Sequence, residues 1–162
     1  VIAERFSKIG SKPEMELIYV NEVLENATEY MRRRVSDKVL ITTHLPSDAE
    51  GAMVCLSLFE WVIENLCKNA VDAMNGEGRI DVYMTSEKQQ IYIDIKDTGK
   101  GIARKNFKTV FNPGYTTKKR GWGLGLTLAK RIIEDYHAGR IYVKDSEVGK
   151  GTTFRIELTR VV

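Results

Sequence analysis

Asn65, Asn69 and Asp72 follow one another at intervals of four and three, the spacing that gathers side chains on one face of a helix. With Asn65 set at 0° and each residue advancing about 100°, Asn69 falls at about 40°, Asp72 at about −20° and Lys68 at about −60°. On the same wheel Phe59, Val62, Ile63, Leu66, Ala70 and Ala73 fall between about 60° and 160°. One face therefore packs a core, while a narrow stripe of amide, amide and carboxylate points elsewhere. Asparagine is a mediocre helix former, so two in one helix are either tolerated on a solvated face or kept for their oxygens. Amide and carboxylate oxygens suit a hard cation such as Mg²⁺, which retains waters and takes substrate phosphates as further ligands.

A second group is Asp97-Thr98-Gly99-Lys100-Gly101-Ile102, at the end of an alternating stretch. Glycines at alternate positions let the backbone turn tightly and let a flat ligand approach, and a carboxylate ahead of them can accept from an exocyclic amine. Alone, the pattern also describes an ordinary turn. A third group, Gly121-Trp122-Gly123-Leu124-Gly125-Leu126, stands directly before a helical stretch. Glycine-rich backbone feeding a helix N-terminus offers N–H groups and the positive end of the dipole to an anion. It is not the dinucleotide fingerprint, because no strand precedes it and the glycine spacing differs. Gly149-Lys150-Gly151-Thr152 lacks the upstream glycine and the Lys-Ser/Thr pair of a P-loop. Lys118, Lys119 and Arg120 are placed to reach phosphates or simply to solvate a loop.

The elements that must position these groups are legible in outline. Val23, Leu24, Ala27, Tyr30 and Met31 recur at helical spacing from Asn21, a candidate cap, to the basic run Arg32-Arg33-Arg34. Val39 to Leu45 is a short β-rich run closed by Pro46, and a second helix is expected over Ala52 to Met74. Ile80, Val82 and Met84 alternate with polar neighbours, as do Ile91, Ile93 and Ile95, so an antiparallel hairpin with a turn over Thr85 to Gln90 is expected. A third helix runs from Leu124 to Tyr136 and stops at Gly139; a second hairpin pairs Arg140 to Val143 with Thr152 to Leu158. The whole is an α+β fold, a two-layer α/β sandwich with helices on one face of a mostly antiparallel mixed sheet. Ala103 to Gly121 fits neither period and is long enough for a lid. Val1 to Glu14 reads as the tail of something upstream plus a linker, leaving residues 15–162 as one domain.

Composition narrows the function. The 162 residues carry 25 Lys and Arg against 22 Asp and Glu, a formal charge of +3 too weak to imply nucleic acid. No apolar run is long enough to span a bilayer. Cys55 and Cys67 lie in one helical pattern without metal-type spacing and read as reduced core thiols of a cytoplasmic domain. The chain begins at Val1 with no signal peptide and reads as a piece cut from a longer protein.

The order of these groups resembles the catalytic and ATP-binding domain of bacterial two-component sensor histidine kinases, within the wider family of gyrase B and the mismatch-repair ATPases. Glu64 to Met74 is similar to the N box, Asp97 to Ile102 to the first glycine box and Phe107 to Lys118 to the phenylalanine box and ATP lid. Gly121 to Leu126 resembles the second glycine box, and Gly151-Thr152-Thr153-Phe154 the closing strand motif. The N box Asn-Ala-Val-Asp-Ala-Met and the lid Pro113-Gly-Tyr-Thr-Thr-Lys118 look nearest to nitrogen-regulation-type kinases. The resemblance implies a Bergerat-type fold, ATP and Mg²⁺ as ligands, and a lid over about 103–121. It implies that Asn69 holds the metal, with Asn65 and Asp72 beside it. It implies that Asp97 accepts the adenine amino group, flanked by Gly99, Gly101, Ile102 and Thr153. The backbone of Gly121, Gly123, Leu124, Gly125 and Leu126 would cradle the phosphates, Lys118 would be the lid cation and Phe111 would help the lid engage the acceptor domain.

One departure bears on mechanism. Gyrase-type ATPases place a catalytic glutamate four residues before the metal-binding asparagine, where this chain has Asn65; Glu64 is one position off and is expected to point away. Water activation is therefore not expected. His44 and His137 lack an adjacent acid, so the phosphoacceptor histidine is expected on a separate dimerisation domain. The implied partners are that domain and a response regulator, in a homodimeric parent whose anchoring to the inner membrane is left open. An ATP-binding interaction module without kinase activity, or a related ATPase, is the alternative.

Overall fold

Strand alternation decides which side of the sheet the helices cover. In the computed structural model residues 13–115 and 125–161 are described. In chain order they form β1 (Glu16–Tyr19), α1 (Val20–Arg32), β2 (Val39–His44), β3 (Gly51–Val54), α2 (Leu56–Ala73), β4 (Gly78–Glu87), β5 (Gln90–Asp97), α3 (Gly125–Arg131), β6 (Arg140–Glu147) and β7 (Gly151–Thr159). Short 3-10 turns lie at Arg104–Asn106 and Thr109–Phe111, and a π turn, Ile132–Tyr136, extends α3.

The main sheet has the order β2-β4-β5-β7-β6; β2 runs parallel to β4 and every other pair is antiparallel. Ile80, Val82 and Met84, Ile91, Ile93 and Ile95, and Phe154, Ile156 and Leu158 are buried on one face against Leu58, Phe59, Val62, Ile63 and Leu66 of α2. The opposite face carries ion pairs. Asp94 accepts from Arg155 Nε and Nη2 at 2.7 and 2.8 Å and from Lys144 at 3.3 Å. Burial works to raise the Asp94 carboxyl, but these cations outweigh it and hold it below its ordinary value.

Several boundaries differ from expectation. The second helix does not begin at Ala52: Gly51–Val54 is a strand that pairs antiparallel with β1, and Cys55 stays extended before Leu56 opens the helix. Ala52, Met53 and Val54 are as apolar as the helix they precede, which hides the boundary. β1 itself was not expected. Asn21 does not cap α1; the cap position is Tyr19, and the Asn21 amide instead donates to the Pro46 and Asp48 carbonyls while its oxygen accepts from Glu50 N–H. The first hairpin turns on Lys88 and Gln89 alone, because β4 runs to Glu87 and β5 starts at Gln90. Cys55 and Cys67 are free and buried, and burial, with Glu64 nearby, pushes the Cys67 thiol up to about 12.

Candidate active site

The site is assembled where the C-terminal end of α2 meets the turn after β5. Asp97 ends β5 almost fully buried, and its Oδ1 accepts the Gly99 N–H at 2.8 Å and the Thr152 N–H at 3.3 Å. Neither bond uses Oδ2. Burial raises the carboxyl, and these two bonds only partly offset it. The turn is fastened to the helix: Lys100 N–H donates to the Ala73 carbonyl at 2.9 Å. Gly99 lies so close that a Cβ there would stand 2.7 Å from that carbonyl oxygen. The β6–β7 turn closes on the same segment. Gly149 N–H donates to the Lys100 carbonyl at 2.7 Å, and Ile102 N–H donates to Ser146 Oγ at 2.7 Å.

Thr152 and Thr153 of β7 lie on opposite faces of the sheet. Phe154, Ile156 and Leu158 face inward, so Thr152 does too, whereas Thr153, opposite Lys96, lies on the other face. Thr152 reaches Asp97 through its backbone N–H, while its hydroxyl meets Ser146 Oγ at 2.8 Å.

On α2 the stripe is present as spaced. Asn69 is half-buried and Asp72 is exposed. Asn65 meets the start of α3: a Cβ on Gly125 would stand 2.8 Å from Asn65 Oδ1, so a larger residue there would have to displace the Asn65 amide. Asn65 Nδ2 is buried with no hydrogen-bond partner among the described residues. A cavity of about 470 Å³ opens between α1 and α2, with Tyr30 and Arg34 on one wall and Glu64, Asn65, Lys68 and Asp72 on the other. Among the described residues, none of Asp97 to Ile102 lines it. Glu64, expected to point away, lines this cavity beside Asn65 and Asp72.

Leu126 begins α3 half-buried beside Gly125. Lys118, Gly121, Trp122, Gly123 and Leu124 lie outside the described residues, as does most of Val1 to Glu14. Phe111 does not project toward a partner: it is buried edge-on against Phe154 at 6.0 Å, and its carbonyl accepts from Thr127 Oγ1 at 2.8 Å. His44 lies on β2, where its Nε2 meets Asp81 Oδ1 at 2.9 Å and its ring stacks on Tyr83. An acid beside His44 in space was invisible in the sequence, because 37 residues separate the pair.

Residues 56–161 match the family described as histidine kinase-, DNA gyrase B- and HSP90-like ATPases. Sporulation kinase A of Bacillus subtilis is 40% identical over 99 residues, 61% of this chain and 16% of that protein. Sensor kinase CckA of Brucella abortus is 32% identical over 164 residues, covering 91% of this chain and 17% of its own length. The chain thus spans about a sixth of these relatives. The solved catalytic domain of histidine kinase ThkA superposes with a TM-score of 0.80 at 22% identity, covering 90% of this chain and 95% of that one. Full-length ShkA in complex with AMPPNP superposes with a TM-score of 0.83 at 21% identity, covering 97% of this chain and 34% of that one.

Proposed function

The chain belongs to the family of histidine kinase-, DNA gyrase B- and HSP90-like ATPases, and on that premise we propose that it is the ATP-binding catalytic domain of a sensor histidine kinase, passing the γ-phosphate of ATP to a histidine on a separate dimerisation domain. The observation that carries this reading is the buried Asp97, whose Oδ1 is engaged by two backbone N–H groups while Oδ2 is left to accept from a base amine. Gly99, Gly101 and Ile102 form the close wall on which a flat base lies.

Oxygens of Asn69, with Asp72 nearby, suit Mg²⁺. A metal held there would arrive on the nucleotide and complete its shell with phosphate oxygens and water. When bound, Mg²⁺ neutralises charge on the phosphates. Gly121 to Leu126 would supply backbone N–H groups to those phosphates, and Lys118 a further cation. Asn65 cannot take a proton from water, and its amide is boxed against Gly125. The residues here thus position and neutralise rather than activate a nucleophile. The in-line nucleophile would be the partner's imidazole. ThkA has been solved in complex with the response regulator TrrA, and we extend that class of partner to the parent of this chain, along with its homodimeric state and cytoplasmic placement; no helix among the described residues is long and apolar enough to cross a membrane. The lid sequence and N box keep nitrogen-regulation-type kinases as the nearest subgroup in this reading.

The test uses radiolabelled Mg-ATP with the chain alone and with a dimerisation domain from its parent. Acid-labile, base-stable label on the partner only is expected. Label on this chain alone, or rapid phosphate release without partner, would reject the assignment.

A further inference from the structure

Ala129, Ile132 and Ile133 bury α3 and its π turn in the core shared with α2, and a further contact to α2 or its cap stands at each end. At the start, Gly125 rests on the Asn65 amide. At the far end stands His137, buried, just past the π turn. Its Nε2 accepts the Cys55 N–H at 3.1 Å, and its Nδ1 donates to the Ile132 carbonyl at 2.9 Å. Cys55 occupies the cap position of α2 and makes no capping bond through its own side chain, so the imidazole from a distant element partners the backbone there. Acceptance at Nε2 requires the neutral tautomer with its proton on Nδ1. A second proton would set two N–H donors against each other in a buried place.

We propose that His137 is a positioning residue of the nucleotide site: neutral, it ties the start of α2 to the end of the α3 segment and keeps Asn65 and Gly125 in register, and protonation releases that tie. The inference rests on the nucleotide reading above. The groups facing the ring are the Phe59 ring of α2 at 6.0 Å, Cys55, whose thiol meets Ser57 at 3.7 Å, and the Ile132 carbonyl. The neighbouring charges turn away: Asp135 and Arg140 are exposed, and Glu134 engages Ile141 N–H and Lys130. Burial lowers the affinity of the ring for a proton, and the bond to Ile132 opposes this only in part. The tie is therefore intact at neutral pH. Below about 6.5, the ordinary histidine value, the unfolded chain protonates first and stability declines; the tie opens at the lower pH where the folded ring itself takes the proton.

Two measurements on the full chain between pH 7.5 and pH 5 decide the matter. In ¹⁵N-labelled protein, the Cys55 and Gly125 backbone amides and the Asn65 side-chain amide should shift with the midpoint of the His137 ring. Calorimetry should show Mg-ATP affinity falling on the order of tenfold more in wild type than in His137→Gln, the weight of about one hydrogen bond. Glutamine keeps an acceptor for Cys55 but does not titrate, and the comparison removes the protonation of the nucleotide itself. Superimposable affinity profiles in the two proteins, or Asn65 and Gly125 signals that stay fixed while His137 titrates, would overturn the proposal. A wild type that binds no Mg-ATP at any pH would sink the nucleotide reading instead, and the amide shifts would still decide the tie.

Discussion

On the proposed reading, Asp97 sets stability against recognition within a single side chain. Its carboxyl is raised by burial, so the ionised form costs the fold free energy above the ordinary carboxylate range, and that cost is relieved as the pH falls through the raised value. Asp97→Asn keeps an oxygen for the Gly99 and Thr152 N–H groups and removes the charge. Chemical denaturation at pH 7 should find the variant unchanged or more stable by up to about 1 kcal/mol, with the gap closing on acidification. Its ATP affinity, by contrast, should fall at least about a hundredfold, because an amide N–H₂ would then meet the amine of adenine. Equal ATP affinity in calorimetry would remove Asp97 from base recognition. Gly125 offers a second residue-level test. Gly125→Ala drives a methyl into the Asn65 amide and should weaken Mg-ATP binding, whereas adding Asn65→Ala should relieve the clash and recover thermal stability. A double variant no more stable than the single would show that the contact does not limit packing.

At the scale of elements, much of this architecture was legible in the chain. Period-two runs located β4, β5 and β7, and the stripe on α2 was set by spacing alone. The start of α2 was not legible, because Ala52, Met53 and Val54 satisfy a helical pattern as well as a strand; pairing with β1, a long-range event, decides it. Neither the approach of the Thr152 N–H to Asp97 nor that of Asp81 to His44 was legible, since no local pattern reports which strands become neighbours. One terminal position runs against its backbone. Ala138 sits at φ 52° just after the π turn, and the following Gly139 N–H returns to the Ile133 carbonyl at 2.9 Å. This is the left-handed closing position that glycine fills at least cost. Ala138→Gly should raise stability by about 0.5–1 kcal/mol, and a lower midpoint in urea would contradict that account.

For the molecule as a whole, the sheet face away from the helices is held by charge. Asp94, drawn below its ordinary pKa chiefly by Arg155 against the pull of burial, contributes stability that is present above the unfolded carboxylate value, about 3.9, and lost as the pH falls through the lower folded one. Asp94→Asn should therefore cost on the order of 1–2 kcal/mol at pH 7, after allowing for solvent screening, and progressively less toward pH 2. A cost independent of pH would mean that the side chain matters for shape rather than charge.

The clasp of Gly149 and Ser146 on Lys100 and Ile102 also joins distant parts of the chain. The proposed base-recognition turn is a splice of two stretches more than 40 residues apart in the chain, and closing a loop of that length costs more chain entropy than the local contacts of the turn. A chain that has completed α2 and the first hairpin already carries the asparagine stripe, but its Asp97 has only the local Gly99 N–H until β7 brings that of Thr152. On the proposed reading, competence to bind adenine then depends on β7, so a chain released before β7 would carry the asparagine stripe and still lack the completed base site.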